Sequence, residues 1–360
     1  MKACVLRAPG KVECAEVPLP TLPPDWVLMR VESCGVCGSD LRYFRGENPW
    51  ALHTLGVAKP NPPNMILGHE VAGVLADVGK NVDRSRVGER VVALAFKACG
   101  ECTECQRGRP NLCPKTQHLG HSAGWEGMEY NPGGMAEFCP VWADNALRLP
   151  PTVSFDEAAF IDGLGVAVHA VHRAKVRSGD SVCIAGCGPI GLCVMQVAKA
   201  HGAQKAICID IYDKALELAA ELGGDIIIDA READDLRAAV LDYTSGRGVD
   251  ALFDSTGDLK TQSQTIRALA PGGSAILLAG AAEGLKLDTP TVAGERLITT
   301  SANNLPFETR EAIELVERGA VRVAPMITHR FPLERVAEAF EVMAAKAEHR
   351  AFKVIIRPQE

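Results

Sequence analysis

The sequence predicts an α/β protein of two domains, a β-rich domain followed by a doubly wound parallel sheet. Three observations carry this. An apolar run, Val182 to Ala185, ends in Gly186-Cys187-Gly188-Pro189-Ile190-Gly191, after which Ile190, Val194, Val197 and Ala198 recur at helical spacing, so Ser181 to Asp210 reads as strand, glycine turn, helix and second strand. Beyond about Pro150, apolar segments of strand length alternate with helical stretches, as in βαβ units. Residues 1 to about 150 instead show short β-like runs broken by Pro and Gly, with few helix-period patterns. The 360 residues suit two domains at roughly 100–200 residues each. The expected boundaries are 1–150, completed by about 298–360, and 151–297.

In order, the β-like runs of the first domain are Ala3–Leu6, Val27–Val31, Val71–Val78, Arg90–Ala95 and Ala136–Val141. After Asp210 the pattern predicts a helix over 214–222, a strand over 226–228 and a helix over 233–243. A strand over 251–253, a helix over 259–269 and a strand over 274–278 follow. Helices over 308–318 and 333–346 precede a final strand-like run, 352–356. No internal repeat or low-complexity tract interrupts the chain.

The glycine turn has a specific chemistry. Gly186 makes the tight turn, Gly188 lets the backbone approach a pyrophosphate, and Gly191 lets helix and strand pack closely. Pro189 and Ile190 open a helix whose free N–H groups face the phosphates. The second strand, Ala206 to Ile209, ends at Asp210, where a dinucleotide fold places the acid that binds the ribose. The acid favours NAD over NADP, since it repels a 2′-phosphate; Lys214 is the one cation in the local stretch Ile211-Tyr212-Asp213-Lys214.

Composition is that of a globular enzyme, 47% hydrophobic and 23% charged. The net charge of −7, without a basic block, disfavours a nucleic-acid partner. No apolar run is long enough to span a membrane, and the N-terminus lacks the apolar core of a signal peptide, so a cytosolic location is expected. Thirteen cysteines in such a chain point to metal ligation rather than a disulfide framework. Eight of them (Cys4, Cys14, Cys34, Cys139, Cys183, Cys187, Cys193 and Cys208) are expected to be buried small apolar residues.

The other five fall in two clusters. Cys99-x2-Cys102-x2-Cys105-x7-Cys113 offers four thiolates that can close tetrahedrally around one ion, which makes the site structural; zinc, cuprous or iron–sulfur occupancy all suit thiolates. Cys34-Gly-Val-Cys37-Gly-Ser39-Asp40, followed by Gly68-His69-Glu70, supplies thiolate, imidazole and carboxylate, the ligand types of a catalytic zinc. Taken alone, Cys37 and His69 read more readily as core residues than as ligands.

The run Gly68-His69-Glu70-x2-Gly73-x5-Gly79-x2-Val82, with the cysteine tetrad and the glycine fingerprint in that order, resembles the zinc-dependent medium-chain alcohol dehydrogenase family over essentially the full length. The resemblance implies a GroES-like catalytic domain, a Rossmann cofactor domain, one catalytic and one structural zinc per chain, and NAD. It implies Cys37 and His69 as catalytic-zinc ligands, Glu70 as a ligand or a close neighbour of the metal, and Asp162, in Phe160-Ile161-Asp162-Gly163, at the third protein position; a helix-capping carboxylate is the alternative for Asp162. It assigns Ser39 to proton transfer from the alcohol and Asp40 to the other imidazole N–H of His69, against a turn serine and a solvated acid. The implied reaction is reversible hydride transfer between a secondary alcohol or polyol and NAD, giving the ketone.

L-Threonine 3-dehydrogenase, which would share every motif, is the alternative within the class, with a sugar or cyclic-alcohol dehydrogenase beside it. A zinc-free quinone or enoyl reductase and a non-catalytic protein on the same scaffold are the readings from other classes. Two stretches, 46–63 and 114–133, are longer than in the polyol and threonine members; the second carries His118, His121, Trp125 and Tyr130, and the resemblance places both over the substrate pocket, a plain solvent-exposed loop being the alternative for each. A homodimer or homotetramer, paired through a sheet edge near Leu297–Ser301, is a family expectation.

Overall fold

The computed structural model describes every residue except 123, 124, 126, 127 and 281–283. Its contacts divide the chain into two units, 1–162 with 327–360, and 163–326. Both crossings lie later than the sequence boundaries of 150 and 298. The strand Leu297–Thr300 and the helix Pro306–Glu317 belong to the second unit, because that strand continues its parallel sheet.

The first unit is built on a seven-stranded sheet. Its strands run Ala146–Arg148, Arg90–Ala93, Glu70–Val78, Trp26–Gly35, Lys353–Arg357 and Ile327–Pro332, with Phe138–Trp142 also paired to Trp26–Gly35. A smaller sheet holds Lys11–Glu16, Lys2–Ala8 and Met65–Ile66. Alternating apolar residues such as Met29, Val31, Val71, Leu75 and Val91 join Trp142 and Phe340 in one core. Gly73 is dictated by packing, since a Cβ there would sit 2.0 Å from the carbonyl of Arg30 on the neighbouring strand. Of the eight single cysteines seven are buried; Cys14 is half-buried because it lies on the edge strand of the smaller sheet.

Asp156 locks three strands of the large sheet together. It lies in the short helix Phe155–Ala158, capped by Ser154, and accepts hydrogen bonds from Ser33 Oγ (2.7 Å), Arg330 Nε (2.7 Å) and Arg357 Nη2 (2.7 Å). Burial pushes its carboxyl up, but the bonds from Arg357, Ser33 and Arg330 outweigh burial and hold it below the ordinary carboxylate range. Asp156→Ala is therefore expected to lower stability by about 2–3 kcal/mol, because hydrogen bonds to charged groups are lost while the arginines can still turn to water. A carboxyl depressed on folding contributes above its unfolded pKa, so this contribution fades as pH falls through the acid range. Urea unfolding at neutral and acid pH measures it: a wild-type advantage that is constant with pH, or no advantage, would sink the assignment.

The second unit is a six-stranded parallel sheet whose strands run in space as Ile226–Asp229, Lys205–Asp210, Ser181–Ala185, Val249–Asp254, Leu269–Leu277 and Leu297–Thr300. Numbered along the chain this is the order 3-2-1-4-5-6 of a doubly wound dinucleotide fold, with the glycine turn at the switch point beside the first strand. Two elements differ from the sequence expectation. The helix expected from residue 233 begins at Leu236, because Asp235 accepts the N–H of Ala238 and caps it there. The helix expected to reach residue 269 ends at Ile266, and Leu269 opens a strand whose register shifts across Ala270-Pro271-Gly272-Gly273. Among the described residues no helix is long and apolar enough to cross a membrane.

Candidate active site and metal centres

In the first unit, Cys37 follows the strand Trp26–Gly35 and caps the helix Gly38–Phe44, while His69 stands just before the strand Glu70–Val78. Gly68 supplies the turn between them and the preceding chain, with φ +94°; a Cβ there would lie 2.6 Å from Cys34 Sγ. Donor atoms of Cys37, His69 and Glu70 all lie within 4.8 Å of one another. Asp162 is half-buried and is not one of that group of donors; loss of solvent around its carboxyl, with the repulsion of Glu70 and Asp40 against the attraction of His69 and Lys353, pushes it up to about 6. Burial alone would push the His69 imidazole down, yet the negative groups Cys37 and Asp40 raise it well above its ordinary value. A thiol, an imidazole and several buried carboxyls, mutually strained by like charge, form a donor set that fits a divalent cation.

The structure corrects the expected role of Asp40. Its distance to His69 Nδ1 is 3.8 Å, too long for a hydrogen bond, and His69 Nδ1 has no hydrogen-bond partner among the described residues. Both Asp40 oxygens are taken by backbone: Oδ2 accepts the N–H of Cys37 at 2.9 Å and Oδ1 that of Gly68 at 3.2 Å. Asp40, fully buried, thus ties together the two turns that present Cys37 and His69. Ser39 Oγ is buried and, among the described residues, has no partner, an arrangement that costs about 1–3 kcal/mol unless a ligand hydroxyl completes it.

Lys353 was not singled out by the sequence. It enters on the last strand, where Ile355 and Ile356 pair with Gly35 and Cys34, and its ammonium forms an ion pair with Glu70. Both side chains are 4% exposed. Gly35 leaves room for this pair, since a Cβ there would displace the ends of both side chains. Of the long loop 114–133, His118 and His121 reach the site: their rings stack 3.9 Å apart, with centroids 5.7 and 4.7 Å from that of His69. His121 Nε2 is buried without a hydrogen-bond partner among the described residues. Trp125 turns the other way, against Trp26 and Trp142 in the core, and Tyr130 packs against the smaller sheet. Residues 123, 124, 126 and 127 of this loop lie outside the described residues. The 46–63 stretch joins through Asn48, whose Oδ1 accepts from Ser122 Oγ at 2.8 Å.

The four cysteines of the second cluster converge. Sγ–Sγ separations are 3.5 Å for Cys99–Cys113 and Cys102–Cys105, 3.8 Å for Cys102–Cys113 and 4.0 Å for Cys99–Cys105. A tetrahedron of Zn–S bonds of about 2.3 Å has edges of about 3.8 Å. Backbone N–H groups of Glu101 and Cys102 aimed at Cys99 lower its thiol to about 6, favouring the thiolate a metal needs.

In the second unit, Gly186 has φ +90°, and its N–H donates to Ile209 O at 2.8 Å. A Cβ on Gly191 would lie 1.9 Å from Gly186 O, so helix and strand meet there only through glycine. Gly188 caps the helix Pro189–Ala200 and opens onto free space, with Pro189 at its first position and Ile190 next. Asp210 ends its strand beside this turn: Oδ2 accepts the N–H of Cys187 at 2.6 Å, and Oδ1 those of Ile211 and Tyr212 at 2.7 and 2.9 Å. Lys214 lies 3.8 Å from Glu217. It is not the sole cation near the acid, as the sequence suggested: Arg231 arrives from the next strand and pairs with Asp213 and Asp229, both at 2.5 Å, Asp229 being in register with Asp210.

Residues 23–151 match the family model for the alcohol dehydrogenase GroES-like domain, and residues 189–318 that for zinc-binding dehydrogenases. The chain is 32% identical to a sorbitol dehydrogenase of Bacillus subtilis, over 99% of this chain and 97% of that one. It is also 32% identical to an L-threonine 3-dehydrogenase of Bacillus velezensis, over 91% of each. The crystal structure of 2R,3R-butanediol dehydrogenase from Bacillus subtilis is similar with a TM-score of 0.85 and 27% identity, 99% of each chain being covered. With both domains matched, a cofactor sheet of the required strand order and thiolate sites in place, the chain belongs to the zinc-dependent medium-chain alcohol dehydrogenases, oxidoreductases that exchange hydride between an alcohol and a nicotinamide dinucleotide.

Proposed function

We propose that this enzyme oxidises a secondary alcohol of the polyol or vicinal-diol type to the ketone, with NAD as acceptor and a zinc that Cys37 and His69 would hold, with Glu70 or Asp162 as the carboxylate ligand. The observation that supports this most is the convergence of Cys37, His69 and Glu70 within 4.8 Å, beside a buried Ser39 Oγ awaiting a hydroxyl. Zinc there supplies Lewis acidity that lowers the pKa of an alcohol, and the nicotinamide supplies the hydride acceptor. Ser39 Oγ, without a hydrogen-bond partner among the described residues, would accept the hydrogen bond of the substrate hydroxyl. Asp40 fixes the spacing of the Cys37 and His69 turns, and Lys353 holds one oxygen of Glu70. A neighbouring substrate hydroxyl finds an acceptor or donor in His121 Nε2, and this atom, without a hydrogen-bond partner among the described residues, favours a diol over L-threonine, whose carboxylate and ammonium call for charged partners. A panel of polyols, vicinal diols, sugars and L-threonine, assayed with NAD⁺ and NADP⁺, tests the reading. Turnover confined to L-threonine would overturn it.

Cofactor choice follows from the end of the second strand. Asp210 repels a 2′-phosphate, and Arg231, the cation that could bind one, is already held between Asp213 and Asp229. With about 1.5–3 kcal/mol per charge-assisted bond at stake, kcat/KM should favour NAD⁺ at least about tenfold. Asp210→Ser should narrow the ratio. Equal kcat/KM for both cofactors in the wild type would show that the acid does not face the ribose.

A further inference from the structure

The second unit contains a cluster that neither the glycine turn nor the zinc chemistry uses. His172, in the last turn of the helix Ile161–Ala174, His201, at the C-cap of the helix Pro189–Ala200, and Glu311, on the helix Pro306–Glu317, bring their donor atoms within 4.8 Å of one another. Glu311 is shared: Oε1 lies 2.8 Å from His201 Nε2 and Oε2 lies 3.2 Å from His172 Nε2. Two imidazole Nε2 atoms thus converge on one carboxylate, each ring between a quarter and a third exposed.

Behind this trio stands a supporting layer. His172 Nδ1 is 3.0 Å from Glu308 Oε1, which leaves its Nε2 facing the cluster. Glu308 is 1% exposed and is itself fixed by His169 Nδ1 at 3.0 Å and by the N–H of Leu305 at 2.6 Å. Burial opposes its charge, but the bonds from His169 and His172 hold its carboxyl down at about 2. A histidine whose Nδ1 is turned to a buried carboxylate, with Nε2 directed outward, is how metal-binding histidines are oriented. His169 and His172, and Glu308 and Glu311, are three residues apart on their helices, so each pair shares a face. Two helix C-termini, at His172 and His201, also direct partial negative charge at the position.

We propose that His172, His201 and Glu311 form a third metal site, distinct from the two zinc sites, for a divalent first-row transition metal of the zinc class. Two imidazoles and one carboxylate are a ligand set that zinc accepts, with a further position left to water. The cation takes the place of the direct contacts between the two Nε2 atoms and Glu311. It clasps the C-terminal ends of two helices to the middle of a third in the cofactor unit, away from the glycine turn.

Calorimetric titration of the zinc-replete full-length enzyme with Zn²⁺ tests this. One further equivalent should bind, and the ¹⁵N resonances of His172 and His201 Nε2 should shift with it. His201→Asn and Glu311→Gln, both at partly exposed positions, should abolish the added equivalent, and Glu308→Gln should weaken it by about 10–100-fold. No further equivalent in the wild type, or an equivalent that survives in both His201→Asn and Glu311→Gln, overturns the proposal. Because only the increment over the zinc-replete enzyme is read, the result is independent of the catalytic and structural zinc assignments.

Discussion

His69→Ala is expected to lower kcat by at least about 10³-fold, an increase of about 4 kcal/mol in the activation barrier, while the protein stays folded. The imidazole belongs to the donor group with Cys37 and Glu70, and its removal leaves the metal short of the one neutral ligand in a field of acids. Asp40 continues to tie Cys37 to Gly68 through backbone N–H groups, so the two turns keep their places without the ring. The cost to stability is that of a truncated buried side chain, about 1–3 kcal/mol. Cys37→Ser should behave in the same way, since a hydroxyl does not ionise to replace the thiolate. Turnover with NAD⁺, circular dichroism and zinc content measured together decide it: each variant should hold one zinc fewer than the wild type. Retained activity in Cys37→Ser or His69→Ala, at one zinc fewer, would falsify the catalytic assignment.

The parts of this site that were legible in the sequence are the parts built from short windows. Strand, glycine turn and helix at 181–200 are written in consecutive residues, and the acid at Asp210 ends the next strand because the βαβ unit has a fixed length. The cysteine tetrad is equally local, spanning 99–113. What stayed hidden depends on partners brought together by the sheet. Lys353 reaches Glu70 across 283 positions of chain, and nothing in the run Phe352-Lys353-Val354 distinguishes it from a strand lysine facing water. Arg231 meets Asp213 and Asp229 only after two parallel strands align. The trio of His172, His201 and Glu311 is drawn from three helices, so no spacing announces it. Asp40 was placed at the correct turn but with the wrong bond, because its oxygens serve backbone donors first.

Cys102→Ser or Cys105→Ser is expected to have the opposite signature to His69→Ala, a large loss of stability with the chemistry of surviving folded enzyme preserved. From Lys97 to Lys115 only Cys113 is buried, and Leu112 is 43% exposed, so this lobe has no apolar core to hold it once the metal goes. Structural zinc bound by four thiolates contributes an apparent free energy of about 10–16 kcal/mol, comparable with or above the net stability of about 5–15 kcal/mol of a whole domain. The observed Sγ separations of 3.5–4.0 Å already fit one ion, so a serine at either position removes a corner that no nearby donor replaces. The lobe should then open while the seven-stranded sheet, whose core lies elsewhere, persists. Trypsin reports this locally, because Arg107, followed by Gly108, lies inside the lobe: that bond should become labile in the variants, Tm should fall, and soluble yield should drop. Unchanged resistance at Arg107, with Tm at the wild-type value, would show that the four cysteines do not hold the lobe together.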